Sequence, residues 1–171
     1  MTIQAILRRA VTLLGAAEGE PDATGRRQRL LAALDSGLGE IARIFPVQAR
    51  CKISIKDGSC PLPINVMTPR GLYQNGKRMP LVLEEGRLIG KDGDYTLVYY
   101  RVPPVASELS EQTILPYPED LLRALPFYCA ALLVMGEDGA LYNQLMEQYN
   151  TKLSTALGYR PAAGVESRGV L

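Results

Sequence analysis

Ala49-Arg50-Cys51-Lys52-Ile53-Ser54-Ile55-Lys56-Asp57-Gly58 is the stretch that decides the fold class. Apolar side chains at 49, 51, 53 and 55 alternate with Arg50, Lys52, Ser54 and Lys56, the period of a strand buried on one face and wetted on the other. Asp57-Gly58 then supplies the backbone for a tight reversal. Three more such dipeptides follow, Asn75-Gly76, Glu85-Gly86 and Asp92-Gly93. Strands are therefore expected throughout the middle third of the 171 residues.

Within that third, Leu62, Ile64 and Val66 predict a short second strand, with Pro61 and Pro63 suited to a sheet edge and Cys60 in the preceding turn. Leu72-Tyr73, Asn75-Gly76 and Met79–Leu83 predict a hairpin. Arg87-Leu88-Ile89 and Tyr95–Val102 complete five or six short strands, a spacing that favours an antiparallel sandwich or small barrel. The last of these is apolar on both faces. It is either a central strand covered twice or a strand that turns one face to another molecule.

Helical spacing takes over on either side. Ile3, Ile6, Leu7, Ala10, Leu13, Leu14 and Ala17 share one stripe, and a loop covers Gly19 to Gly25. From about Thr24, Leu30, Leu31, Leu34, Leu38, Ile41 and Phe45 mark a second helix that stops at Pro46. Gly37 and Gly39 each cost this helix ~1 kcal/mol against alanine, tolerable where another backbone packs close. After Val102-Pro103-Pro104-Val105, Pro118, Glu119 and Asp120 open a helix carrying Leu121, Leu122 and Leu125. Pro126 kinks or restarts it, and Gly136 to Gly139 is a turn. A final helix shows Leu141, Leu145, Tyr149 and Leu153 and stops at Gly158. This helix and the one ending at Phe45 are of matched length, ~28 and ~30 Å, and are expected to pack side by side.

The expected fold class is α+β: a helix bundle formed by residues 1–46 and 106–158, an inserted antiparallel β-sandwich or small barrel over 47–105, and a loose tail over 159–171.

Composition narrows the chemistry. The chain has no histidine, which removes the commonest general base and transition-metal ligand. The acidic pairs Glu84-Glu85, Glu119-Asp120 and Glu137-Asp138 fall at turns or helix starts, where capping explains them. Lys91-Asp92-Gly93-Asp94 lacks the remaining ligands of a calcium loop. No phosphate-binding glycine motif and no Gly-x-Ser-x-Gly is present, and Ser54, Ser59, Ser107 and Ser110 have no histidine to activate them. No catalytic, cofactor-binding or metal-ligating residue is assigned, no cofactor is expected, and the chain is read as non-enzymatic. Cys51 and Cys129 read as small apolar core residues. A Cys51–Cys60 bridge across a hairpin is the less favoured alternative. The basic pair at Arg8-Arg9 follows the first apolar residues, the reverse of a secretory signal, and no apolar run approaches the ~20 residues that cross a bilayer. Synthesis in the cytoplasm, without membrane insertion, is expected.

The net charge of +1 hides an uneven distribution. Residues 46–105 hold nine basic and five acidic side chains, and residues 106–171 hold four and eight. Such opposed fields suit head-to-tail association between copies, although solvated faces give the same pattern. Arg50, Lys52 and Lys56 on one strand face, with Lys77, Arg78 and Arg87 on nearby turns, form a basic stripe fit for phosphate. The aromatic residues of an RNA-binding sheet do not interleave with them in sequence, so a solvated face is the favoured reading. Nine tyrosines against two phenylalanines suit surfaces wet at one end and dry at the other.

Leu115-Pro116-Tyr117-Pro118-Glu119-Asp120, then Leu125-Pro126-Phe127-Tyr128-Cys129-Ala130-Ala131-Leu132-Leu133, then Glu137-Asp138 and Tyr142 to Tyr149, resembles the C-terminal helical part of tailed-phage neck and tail proteins. The head–tail adaptor group, including its tail-tubular or gatekeeper type, combines such helices with an inserted β-domain. The resemblance implies a structural subunit of a phage or prophage virion, made in the bacterial host cytoplasm. It would self-associate into a ring between portal and tail components, with non-specific proximity to DNA. The β insertion is large beside purely helical adaptors. The alternative is a cytosolic module that binds a ligand or peptide through its β-domain.

Overall fold

The computed structural model describes residues 1–15 and 25–158. The expectations for Ala17, for the Gly19–Thr24 loop and for the 159–171 tail lie outside the described residues. The chain is mixed α+β with two antiparallel sheets. It divides into two compact units, Met1–Leu38 with Pro104–Leu171, and Gly39–Pro103. The division falls inside a helix rather than at Pro46.

In the first unit, α1 (Ile3–Leu13) starts at Thr2, whose hydroxyl accepts from the Ala5 amide at 3.2 Å, the usual device for an orphan N–H at a helix start. Thr2 also bridges Ile114, and the Ile3 amide donates to the Thr113 carbonyl. The start of the chain is thereby tied to the segment before α3 (Glu119–Leu122). Pro126 restarts the helix: α4 (Leu125–Val134) begins afresh with proline in its first turn, where a missing N–H is harmless. Gly136, at φ +88°, turns the chain into α5 (Gly139–Gly158), which Asp138 caps by accepting from the Leu141 amide at 2.9 Å.

Apolar all round, α4 is the hub of this unit, as such a helix must be. Leu125, Phe127, Cys129, Ala130, Ala131 and Leu133 are all buried. Both α1 and α5 pack on α4, and α3 packs on α5. The second helix, α2 (Arg26–Ile44), reaches α4 through Gly37, where an added Cβ would lie 2.7 Å from Leu125 Cδ2 and 3.0 Å from Tyr128 Cδ1. The close approach that excuses Gly37 is thus made by side chains, while Gly39 faces open space. Both long helices contact α4, α2 doing so at Gly37 and Ser36.

The second unit contains β1 (Gln48–Ile55), β2 (Ser59–Pro61), β3 (Val66–Gln74), β4 (Lys77–Met79), β5 (Val82–Glu84), β6 (Arg87–Ile89) and β7 (Gly93–Arg101). One sheet has the order β1-β7-β3-β4 and the other β2-β6-β5. Neither closes on itself, so the small-barrel alternative is ruled out. Asp57, Asn75 and Glu85 all take positive φ, each followed by a positive-φ glycine, which is the two-residue reversal that matches strand twist. The expected strand at Leu62–Val66 is displaced. Ser59–Pro61 pairs instead, because the Asp57-Gly58 turn brings Ser59 straight back onto Lys56, and Ile64 projects fully into solvent from a turn. Ile55, Cys60, Leu72, Leu88, Tyr95, Leu97 and Tyr99 form one buried apolar cluster drawn from both sheets.

Candidate functional site

The residues singled out in the sequence are dispersed by the fold. Glu84 ends β5 opposite Arg87, and Glu85 opens the turn to β6. Glu119 and Asp120 lie 3.0 and 3.7 Å from Arg123 on α3. Glu137 stands 3.8 Å from Arg29, and Asp138 caps α5. Asp92 Oδ1 accepts from the Gly58 amide at 2.9 Å, joining two turns. Among the described residues, no group of three or more His, Cys, Asp or Glu side chains converges on one point. Of the serines, Ser59 accepts from Arg87 at 2.9 Å and Ser107 donates to Asp35 at 3.0 Å. The same Asp35 carboxylate accepts from the Ala106 amide and so holds a short 3-10 turn at Ala106–Glu108.

The cysteines are free, so the Cys51–Cys60 bridge is not formed. Burial pushes the Cys129 thiol up to about 12 from an ordinary 9.0. Burial raises Cys51 and Cys60 as well. None of the three is poised as a thiolate nucleophile. Most tyrosines serve the interior. The Tyr99 hydroxyl accepts from Asn65 Nδ2 at 3.0 Å, Tyr128 shares a hydrogen bond with Ser36, and the Tyr128 and Tyr149 rings meet at 5.0 Å. No helix among the described residues is long and apolar enough to cross a membrane.

One surface does bring charged and aromatic groups together, and only strand register reveals it. In the four-stranded sheet β7 is central, between β1 and β3. Its Tyr95, Leu97 and Tyr99 point to the apolar cluster, and Thr96, Val98 and Tyr100 point the other way. Paired residues share a face, so Lys52, Thr96, Tyr73 and Arg78 form one row across all four strands. Arg50, Val98 and Gly71 form the next, and Gln48, Tyr100 and Thr68 the third. The register shift between Pro69 and Gly71 adds Arg70, whose guanidinium carbon lies 5.1 Å from the centre of the Tyr100 ring. Tyr73 folds back over Gly71, where a Cβ would meet its ring at 2.9 Å. Arg50, Lys52, Arg70 and Arg78 are exposed, and no carboxylate among the described residues pairs with them. Asp94, opposite Ser54, is the one acid in register on this face. A depression of about 450 Å³ at that end is lined by Lys52, Ser54, Tyr73, Asn75, Asp94 and Thr96, among others.

The aromatic residues do not interleave with the basic stripe in sequence, yet strand register brings two of them onto its face. Tyr73 and Tyr100 lie far from Arg50 and Lys52 in sequence, and the shift at Pro69–Gly71 breaks the alternation of β3. Of the other basic residues, Lys56 stands beyond β1 in the reversal, Lys77 pairs with Gln74 off this face, and Arg87 belongs to the other sheet. The odd-even alternation of residues 49–55 was the legible half of the signal.

No protein-family model matches the chain, and no curated protein is significantly similar to it.

Proposed function

We propose that this protein is a structural subunit of a phage or prophage virion, a head–tail adaptor that self-associates into a ring and meets portal and tail components. In this reading the terminal helices form a bundle and the strands form a sandwich inserted into it, each serving a different contact. The observation that carries the reading is that both units leave large apolar side chains uncovered. Ile114 and Met135 are 72% and 60% exposed in the helical unit, and Ile64, Val82 and Leu83 are exposed in the β unit. Val82 and Leu83 lie on β5, an edge strand with a free row of backbone groups, the kind of strand that invites pairing unless it is covered. The resemblance of 115–150 to neck and tail proteins supplies the class. It falls on α3, α4 and α5, the packing hub and its partners.

Sedimentation of the purified chain from micromolar to millimolar concentration tests this, alone and mixed with a portal protein. Concentration-dependent or portal-dependent rings are expected, weakened by Ile114→Lys or Leu83→Lys. A chain that stays monomeric under every condition would end the proposal.

A further inference from the structure

We infer that the outer face of the β1-β7-β3-β4 sheet binds a single strand of DNA without sequence preference. The inference is independent of the assembly reading, because a monomer carries the whole surface. Four cations against one carboxylate give the face a phosphate-seeking field. Arg and Lys only donate hydrogen bonds, and the backbone of β7 is engaged on both sides by the ladder, so little here favours a ribose hydroxyl over deoxyribose. The decisive feature is the pair of tyrosines. The Tyr73 ring packs against Gly71, and in the neighbouring strand the Arg70 guanidinium lies over one face of the Tyr100 ring. Both tyrosines are partly exposed.

Partly exposed aromatic rings among cations on a sheet suit an unpaired strand, since bases can stack on them while phosphates meet the guanidinium groups. A duplex hides its base faces and would use only the charges. An acidic protein surface would use the charges and leave the rings without a role. The Gly71–Tyr73 contact argues further that the ring has a held position. Any side chain at 71 would lift the ring from the sheet.

Fluorescence anisotropy of the full chain with a labelled oligothymidylate of about twenty nucleotides, enough to span one sheet face, tests the inference. The expected result is preference for the single strand over a duplex of equal length. Log K should fall against log salt with a slope of about −3 if all four cations are engaged, and Arg50→Ala with Lys52→Ala should reduce that slope by about 1.5. Tyr100→Leu should weaken binding roughly tenfold with the slope unchanged, and Tyr100→Phe should restore it. Circular dichroism of each variant separates lost binding from lost fold. Any of four results overturns the inference: no binding at low salt; a duplex bound as tightly; indifference to Tyr100→Leu in a folded protein; or oligouridylate preferred to oligothymidylate. Self-association that needs Arg50 and Lys52 and is not displaced by the oligonucleotide would assign the face to a second copy instead.

Discussion

Leu125 in α4 and Leu97 in β7 are both fully buried, yet the two units hold them by different means. Beyond its own helix, the position of Leu125 is fixed by packing. Its helix is apolar on every side, and its Cδ2 packs against Gly37 of α2, where a Cβ would lie only 2.7 Å away. Leu97 sits in a strand laddered on both edges, opposite Cys51 and Leu72, with partly buried Met79 and Leu81 nearby. One unit is specified by volume, the other by backbone pairing and reversals. A protein built this way should respond to the same substitution unequally in its two halves.

The largest expected effect tests that inequality directly. Leucine-to-alanine changes in cores cost about 2–5 kcal/mol, depending on how far the site can collapse. Leu125→Ala is expected toward the upper end, because Gly37 cannot move in to fill the void. Leu97→Ala is expected toward the lower end, because Met79 and Leu81 are flexible and free to shift. Urea unfolding of both variants measures the difference. Equal losses, or a larger loss for Leu97→Ala, would break the comparison.

Alkaline pH sharpens it next. The unfolded chain releases the Cys129 proton near pH 9, whereas burial holds the folded thiol protonated to about 12. The unfolded state therefore binds fewer protons in that window, and stability falls as pH rises. Below pH 9 the group contributes no pH dependence. Between 9 and 12 it lowers the unfolding free energy by about 1.4 kcal/mol per pH unit. Cys129→Ala should remove that slope when denaturation is followed from pH 8 to 11. Cys51 and Cys60, raised less in the β unit, should react with a thiol reagent before Cys129 does.

The division between volume and backbone also explains what the sequence made legible. Turn chemistry is local: Asp57-Gly58, Asn75-Gly76 and Glu85-Gly86 announce their reversals, and all three occur. Helical stripes are nearly as local, and Pro126 restarting a helix follows from one missing N–H. The displaced second strand has both a local and a nonlocal cause. Leu62, Ile64 and Val66 alternate as a strand should, but the turn before them sets Ser59 against Lys56, and distant β6 pairs with Ser59–Pro61. The outer sheet face was half legible, since the alternation of Arg50 and Lys52 is visible, whereas Tyr73, Tyr100, Arg70 and Arg78 join it only through long-range register and an irregularity in β3. That α1, α2 and α5 all meet α4 depends on which helix carries apolar surface all round, a matter of three-dimensional accounting rather than of helix length.

If backbone reversals specify the β unit, a methyl group at a turn should matter even where there is ample room for it. Gly76 and Gly86 both have φ of +76°, and a Cβ at either meets nothing within 4 Å. Gly76→Ala and Gly86→Ala are therefore expected to cost about 1–2 kcal/mol through left-handed strain alone. Gly139→Ala, in equally open space at the start of α5, should be neutral or stabilising. Thermal melts of the three variants separate conformational strain from steric contact. A neutral Gly76→Ala would mean that the hairpin is held by its strands and not by its turn.

The smallest effect belongs to surface charge, and it asks whether the helical unit relies on anything besides packing. Arg123 lies 3.0 Å from Glu119 one turn earlier and 3.7 Å from Asp120, with all three side chains more than half exposed. Solvent screens such pairs, and those spaced four residues apart on a helix contribute about 0.3–0.5 kcal/mol. Arg123→Ala should therefore lower stability by no more than about 0.5 kcal/mol, and raising the salt concentration should shrink the difference between variant and parent further. A loss well above that, insensitive to salt, would mean that the stem of Arg123 packs onto the helical core. The contrast between a packing-specified unit and its exposed charges would then have to be redrawn, because even an outward-facing arginine would be contributing through volume.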